Sequence, residues 1–357
     1  MDNKGLLFIP DISGFTRFVS ETEIDHSKMI IQELLELLIN ANKINLEISE
    51  IEGDAILFYK FGNCPDLKEV YQQVENMFCE FHKHLASYEL RRFCQCKACL
   101  SAVDLTLKVI THYGEFTGYN VKNFNKLIGK DVIVAHQLLK NDIENHEYWL
   151  VTKNLLENNQ LNFSNGITWN ASAKKTESGE IPFHYTALSH LKENIAPPVP
   201  LRFDLSKKLK VASASQIYNT HIIQLFHASG NPNYRNRWQD GVQKVEEQNH
   251  FLPRVGMKYR FTLENGTASY FASSFLFQPE HIEFSETDEN SGTIFYFTVE
   301  KIDDEKTKLT IDQYAKKNFF SRFSYNTEKK KKIEASLKRS LKSLEKLVSE
   351  LNVPAEY

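Results

Sequence analysis

The chain has 357 residues, 41% of them hydrophobic and 12% aromatic, which is long for one ordinary domain and supplies enough apolar surface for two packed cores. Its 43 basic and 46 acidic side chains leave a formal net charge of -3, excluding a general phosphate-backbone binder, which needs a strong positive excess. No apolar run approaches a membrane span, and the short stretch from Leu6 to Pro10 meets Asp11 too soon for a signal peptide. A cytoplasmic protein without stable membrane insertion is expected. The five cysteines fall within the first hundred residues, an odd number that does not suggest a disulfide framework.

In chain order, GLLFIPDI (residues 5–12) reads as a short buried strand ending at Asp11, and SGFT supplies a turn and a helix start. Between His26 and Asn42, Met29, Ile30, Leu34, Leu37, Leu38 and Ala41 recur at helical spacing. A hairpin follows: LEIS runs in, EIEGD turns and AILFY runs out. Val70, Val74, Phe78, Phe81 and Leu85 mark an amphipathic helix over 66–88. LTLKVITHYGEF alternates as a strand. LIGKDVIVAHQLLKN reads as a helix with Val132, Val134, Ala135, Leu138 and Leu139 inward; WLVT is a strand and IPFHYTALSHL closes the unit. The order β-α-β-β-α-β-α-β predicts an α+β sandwich with helices on one face of a largely antiparallel sheet.

Clustered prolines in IAPPVP (residues 195–200) forbid helix and central strand, so a linker is expected there, between a domain over 1–194 and another over 201–357. The second half opens with a strand, LRFDLSKKLKVAS, and a helix around Ser215 to Phe226. Extended segments follow: VQKVEEQ, KYRFTLE, SYFASSFLFQ, HIEFSET, GTIFYFTVEKI and KLTIDQYAKK. A helix from about Glu328 to Leu351 carries Ile333, Leu337, Leu341, Leu344, Val348 and Leu351 on one stripe. Its basic run, Lys329 to Lys332, reads as a solvated face, and nucleic acid is not expected as a partner.

Asp11 closes a strand, and Asp54 sits at a hairpin tip where Gly53 permits a tight turn. Brought together, they offer two hard oxygen ligands with open positions, as Mg²⁺ or Mn²⁺ requires when it clamps a triphosphate. Singly, Asp11 better suits a helix N-cap partner and Asp54 a plain turn residue. FIPDISGFTRF, EIEGDAILF, LKVITHYGEF and LIGKDVIVAHQLL resemble, in order and spacing, the four core blocks of class III nucleotidyl cyclases over roughly residues 5–155.

That resemblance implies a ferredoxin-like cyclase sandwich working as a homodimer, with Asp11 and Asp54 as metal ligands. It also implies nucleotide contacts from Ile12, Ser13, Gly14, Phe15, Thr16, Glu50, Gly53 and Lys126. Glu50, four before Asp54, is the guanylyl-type choice, whereas Lys126 fits neither base type. Where the family carries a ribose-positioning Asn and a charge-stabilising Arg, this chain has Ile133 and Gln137, with Lys130 and His136 as candidate substitutes. Losing such a cation costs on the order of a hundredfold in rate. A regulatory protein that holds a metal–nucleotide complex is therefore expected ahead of an active cyclase making a 3′,5′-cyclic nucleotide, and enzyme activity stays open.

CQCKAC sets Cys94, Cys96 and Cys99 on an expected loop, where clustered thiolates suit Zn²⁺, an iron–sulfur centre or redox chemistry. The candidates for a fourth ligand are Cys64, Cys79, His82 and His84, and nearby Arg91, Arg92 and Lys97 favour thiolate. Ordinary reduced cysteines fit the same pattern. In the second half, the order strand–helix–sheet–long helix with NRWQDGVQKVE resembles START-like (SRPBCC, helix-grip) domains. It implies a cavity for a hydrophobic small molecule, for which Trp238, Phe271, Phe275, Phe277, Phe295 and Phe297 are candidates; the same aromatics also suit a plain core. A third reading is a lipid or aromatic-ligand carrier whose first half only dimerises.

Overall fold

The computed structural model describes residues 3–351 apart from 95, 123, 157–166, 177–178, 200–202, 248–254 and 318–324. Pro200 of the expected linker, the first two residues of LRFDLSKKLKVAS and Gln248 of VQKVEEQ lie outside the described residues. The chain forms two compact units, Met1–Ala86 with Leu100–Pro197 and Ser87–Cys99 with Pro198–Tyr357. Both are mixed α+β. Among the described residues, no helix is long and apolar enough to cross a membrane.

The first unit is built on strands β1 (Lys4–Ser13), β2 (Glu47–Glu52), β3 (Ala55–Phe61) and β4 (Thr106–Glu115). A hairpin of β5 (Thr117–Val121) and β6 (Phe124–Ile128) stands as its own two-stranded sheet, and β7 (Tyr148–Thr152), β8 (Asn170–Thr176) and β9 (Gly179–Ala187) follow. The seven-stranded sheet has the order β2-β3-β1-β4-β7-β9-β8, with β4 and β7 parallel and the other neighbours antiparallel. Its helices are α1 (Phe15–Glu21), α2 (Ile24–Asn40), α3 (Leu67–Arg91), α4 (Lys97–Ser101), α5 (Lys130–Leu139) and α6 (Lys153–Leu156); the end of α3 and most of α4 count with the second unit.

β1 and β7 are buried along nearly their whole length, which requires cover on both faces. Tyr148 and Leu150 pack with Val132, Ala135 and Leu138 of α5. Trp149, on the other face, meets Tyr71 of α3 with ring centroids 5.6 Å apart. The expectation of helices on one face alone is thereby corrected. Helix α5 also starts later than its apolar run suggests, because Leu127 and Ile128 belong to β6. Its first turn is tied down by Asp131, whose carboxylate takes the Glu115 N–H at 2.6 Å and lies 2.9 Å from His112 Nε2. That approach needs Gly114: a Cβ there would lie 2.3 Å from Asp131 Cγ.

The second unit holds strands β10 (Lys208–Tyr218), β11 (Val242–Glu247), β12 (Lys258–Leu263), β13 (Gly266–Gln278), β14 (His281–Asp288), β15 (Ile294–Lys301) and β16 (Thr307–Lys316), and helices α7 (Ile222–Gly230), α8 (Arg235–Trp238) and α9 (Thr327–Glu350). They form one antiparallel sheet, β10-β16-β15-β14-β13-β12-β11. Ser215 to Tyr218 lie in β10, paired with Thr307–Thr310, so the helix expected from Ser215 begins only at Ile222. The Asn326 side chain caps α9 by accepting from the Lys329 N–H at 2.9 Å. Leu337, Leu341, Leu344 and Leu347 then pack into a core with Phe275, Phe284 and Phe297. Phe284 and Phe297 stack at 4.5 Å.

Candidate functional site

Antiparallel pairing of β1 with β3 sets Asp11 opposite Ala55, the residue after Asp54. The Ile12 N–H donates to the Asp54 carbonyl at 3.0 Å, fastening the strand end to the hairpin tip. Both aspartates line one cleft of about 400 Å³, together with the turn of Ser13, Gly14, Phe15 and Thr16. Gly14 (φ 91°) and Gly53 (φ 62°) hold the two turns in the left-handed region that glycine tolerates. Ile12 is fully buried at the cleft wall, and Gly53 shapes the hairpin without lining the cleft.

Asp11 is only 8% exposed. Burial pushes its carboxyl up to about 6, with Lys108 opposing the shift and Asp54 adding to it. Burial raises Asp54 as well, against a backbone hydrogen bond and Lys108. Lys108 is the cross-strand partner of Asp11 on β4. Its Nζ lies 3.5 Å from Asp11 Oδ1 and 3.4 Å from the Leu139 carbonyl. Sequence reasoning missed this lysine, since only the β1–β4 register reveals it. The Ser13 hydroxyl, buried beside the cleft, has no hydrogen-bond partner among the described residues. Two carboxylates and an unpartnered hydroxyl are hard oxygen donors, a set that fits Mg²⁺ or Mn²⁺.

Glu50 also faces the cleft, but Lys126 pairs with it and His136 Nε2 lies 3.5 Å away. Lys126 itself does not line the cleft. Of the two candidate substitutes, His136 lines it, whereas Lys130 is exposed and does not. Ile133 is 60% exposed and Gln137 half-buried, and neither lines the cleft. Lys140, which the sequence did not single out, does.

None of the five cysteines is in a disulfide. Cys94, Cys96 and Cys99 form a close group: Cys94 Sγ accepts from the Cys96 N–H at 3.4 Å and Cys96 Sγ from the Cys99 N–H at 3.5 Å. Cys99 lies in α4, not in a loop. Hydrogen bonds that its thiol donates to Cys94 and Cys96, then burial, push Cys99 far above the usual cysteine range, contrary to the thiolate expected from neighbouring basic residues. The anticipated fourth ligands sit elsewhere. Cys64 reaches the Pro65 and Leu155 carbonyls, His82 lies 3.6 Å from Glu147 and His84 3.1 Å from Glu33. Cys79 is likewise outside the group.

In the second unit, Trp238, Phe295 and Phe297 line a cavity of about 120 Å³ with Ile311, Ile333 and Leu337. Phe275 is instead in the core beside Phe226, Phe277 is 37% exposed and Phe271 half-buried, and none of these three lines the cavity. Trp238, which lines the cavity, buries its indole N–H without a hydrogen-bond partner among the described residues.

A protein-family model described as "Protein of unknown function (DUF2652)" matches residues 31–148. The chain is 32% identical over 120 residues to "Uncharacterized protein Rv2561/Rv2562" of Mycobacterium tuberculosis (strain ATCC 25618 / H37Rv), a match covering 34% of this chain and 56% of that protein. The chain thus spans about half the length of this curated relative. The similar solved structures include adenylyl and guanylyl cyclase domains matching about half of this chain. A bacterial light-regulated adenylyl cyclase is 14% identical at TM-score 0.38, covering 54% of this chain and 97% of that one. The guanylate cyclase domain of RhGC from Catenaria anguillulae, in complex with GTP, is 13% identical at TM-score 0.35, covering 52% and 96%. Adenylyl cyclase CyaB from P. aeruginosa is 17% identical at TM-score 0.34, covering 52% and 94%. At such identities no activity transfers.

Proposed function

We propose that the first unit binds a divalent metal ion with a nucleotide and serves regulation rather than turnover. The observation that carries this is one cleft shared by Asp11, Asp54 and the unpartnered Ser13 hydroxyl, with a volume in the range of small-molecule sites. Asp11 and Asp54 would hold Mg²⁺ or Mn²⁺, and the ion would supply positive charge against the phosphates. The Ser13–Thr16 turn borders the same space. Glu50 is already neutralised by Lys126, so base selection through Glu50 requires that pair to open. Against turnover stand Ile133 and Gln137, and among the described residues no arginine lines the cleft.

A second reading, an active nucleotidyl cyclase, is favoured by Lys108 and Lys140, whose ammonium groups could meet transition-state charge in the cleft. For the second unit we propose a START-like role in which the cavity takes a small hydrophobic molecule. Its 120 Å³ limits the occupant to about one aromatic ring or a short chain, with an acceptor for the Trp238 N–H. A homodimer, implied by the resemblance alone, is checked by light scattering on the purified chain.

The deciding experiment is calorimetric titration of GTP and ATP in the presence of Mn²⁺. Saturable binding that Asp54→Ala abolishes is expected, and absence of binding at every metal concentration refutes the proposal. Chromatography of the same mixtures for cyclic product separates the two readings.

A further inference from the structure

We infer that Lys108 is an exchangeable counter-ion, which neutralises Asp11 in the metal-free protein and passes to the nucleotide phosphates once a divalent ion takes that carboxylate. The inference rests on the metal–nucleotide reading proposed above and adds a positioning residue to it. Lys108 and Asp11 are cross-strand neighbours on β4 and β1, so backbone register fixes their approach. The ammonium lies 3.5 Å from Asp11 Oδ1, with both side chains largely buried, and its charge also reaches Asp54.

The charges around the cleft call for such an exchange. Glu50 is taken by Lys126, which leaves the carboxylates of Asp11, Asp54 and Glu52 facing the ammonium groups of Lys108 and Lys140. A buried carboxylate needs a counter-charge, and Lys108 is the lysine placed on Asp11. A divalent ion on the same carboxylate would face that ammonium at close range, and like charges repel strongly away from bulk water. Lysine is a point charge on a flexible stem, so it can be redirected without breaking a fixed pair of bonds, as an arginine could not. The Leu139 carbonyl, 3.4 Å from Nζ at the end of α5, gives the ammonium a hold that does not involve Asp11. Phosphates beside the Ser13–Thr16 turn of the same cleft would return the negative charge it loses at Asp11. Lys108 therefore weakens binding of the bare ion and strengthens binding of the ion together with its nucleotide, which couples the two ligands reciprocally.

The test compares the full chain with Lys108→Met in two titrations. Electron paramagnetic resonance should show bare Mn²⁺ binding the variant roughly tenfold more tightly, and calorimetry should show preformed Mn²⁺–GTP binding it roughly fivefold more weakly. A lysine that only supported the fold would not move the two affinities in opposite directions. Lys140→Met, which removes equal charge from the same cleft, should tighten bare Mn²⁺ far less. If Lys108→Met fails to fold, lysine acetylation of the unaltered chain, read by mass spectrometry, decides. Labelling of Lys108 should rise with Mn²⁺ and fall with Mn²⁺–GTP, and labelling indifferent to both would overturn the inference. Bare Mn²⁺ binding the Lys108→Met variant no more tightly than the unaltered chain, or an equal gain in Lys140→Met, overturns it and leaves the cleft reading standing. So does Mn²⁺–GTP binding that Lys108→Met leaves undiminished. Mn²⁺ binding no form of the protein, with or without GTP, overturns both.

Discussion

Asp11 carries opposing influences on one carboxyl: burial disfavours its charge, and the Lys108 ammonium 3.5 Å away favours it. Burial wins, leaving the folded value at about 6 against roughly 3.9 for a free aspartate. Between those values the folded state keeps a proton that the unfolded state has lost, so stability falls as pH rises through the interval. By linkage, the ionised carboxylate costs on the order of 3 kcal/mol at neutral pH. Asp11→Asn should therefore raise the thermal midpoint at pH 7 and leave it nearly unchanged at pH 4. An equal shift at both pH values would show that the effect does not come from ionisation. Such a costly charge makes sense when a cation completes its surroundings. The aspartates were legible in the sequence because an apolar strand and a Gly-bearing hairpin each end in an acid. Lys108 was not, because its role depends on cross-strand register.

Among elements, α9 was legible because six apolar residues repeat at helical spacing, and the sheet strands because aromatics and β-branched residues alternate. The polar β8 and the β5–β6 hairpin were not, since neither buries a face that would impose alternation. Nor does the sequence announce the link between α8 and β14. There Arg235, fully buried, pairs with Glu286, donates to Gln239 at 3.2 Å, and stacks over Trp238 and Phe297 at 5.0 and 4.8 Å. Removing one partner strands the other in a dry environment, which typically costs about 3–5 kcal/mol. Chemical denaturation of Arg235→Met should show a loss of that order, and adding Glu286→Gln should recover much of it. A double variant no better than the single would show that the arginine acts by packing alone.

At the scale of the molecule, the acid response sums contributions of opposite sign. Burial, helped by Lys192 and opposed by Glu147, pushes His82 down to about 4. Free histidine titrates near 6.5. As pH falls from there to about 4, the unfolded state takes up a proton that the folded state refuses, and stability is lost. Over nearly the same interval Asp11 contributes in the other direction. The two offset each other, so Asp11→Asn should leave the protein markedly more acid-labile between pH 6 and 4 than the unaltered chain. Urea midpoints that run parallel for both proteins across this range would contradict the account. The grouping of Ser87–Cys99 with the second unit has no signal in the sequence.

Each seven-stranded sheet is open, ending in β2 and β8 in one unit and in β10 and β11 in the other. These four rims are studded with charge: Glu47 and Glu52; Lys174 and Lys175; Lys208 and Lys210; Lys244 and Glu246. An arriving foreign strand would have to seat its backbone amides among them, and two acidic rims would repel one another outright. The polar rim strand β8, so uninformative for locating a core, thus has a protective use. Charge along such a rim disfavours edge-to-edge pairing with another strand.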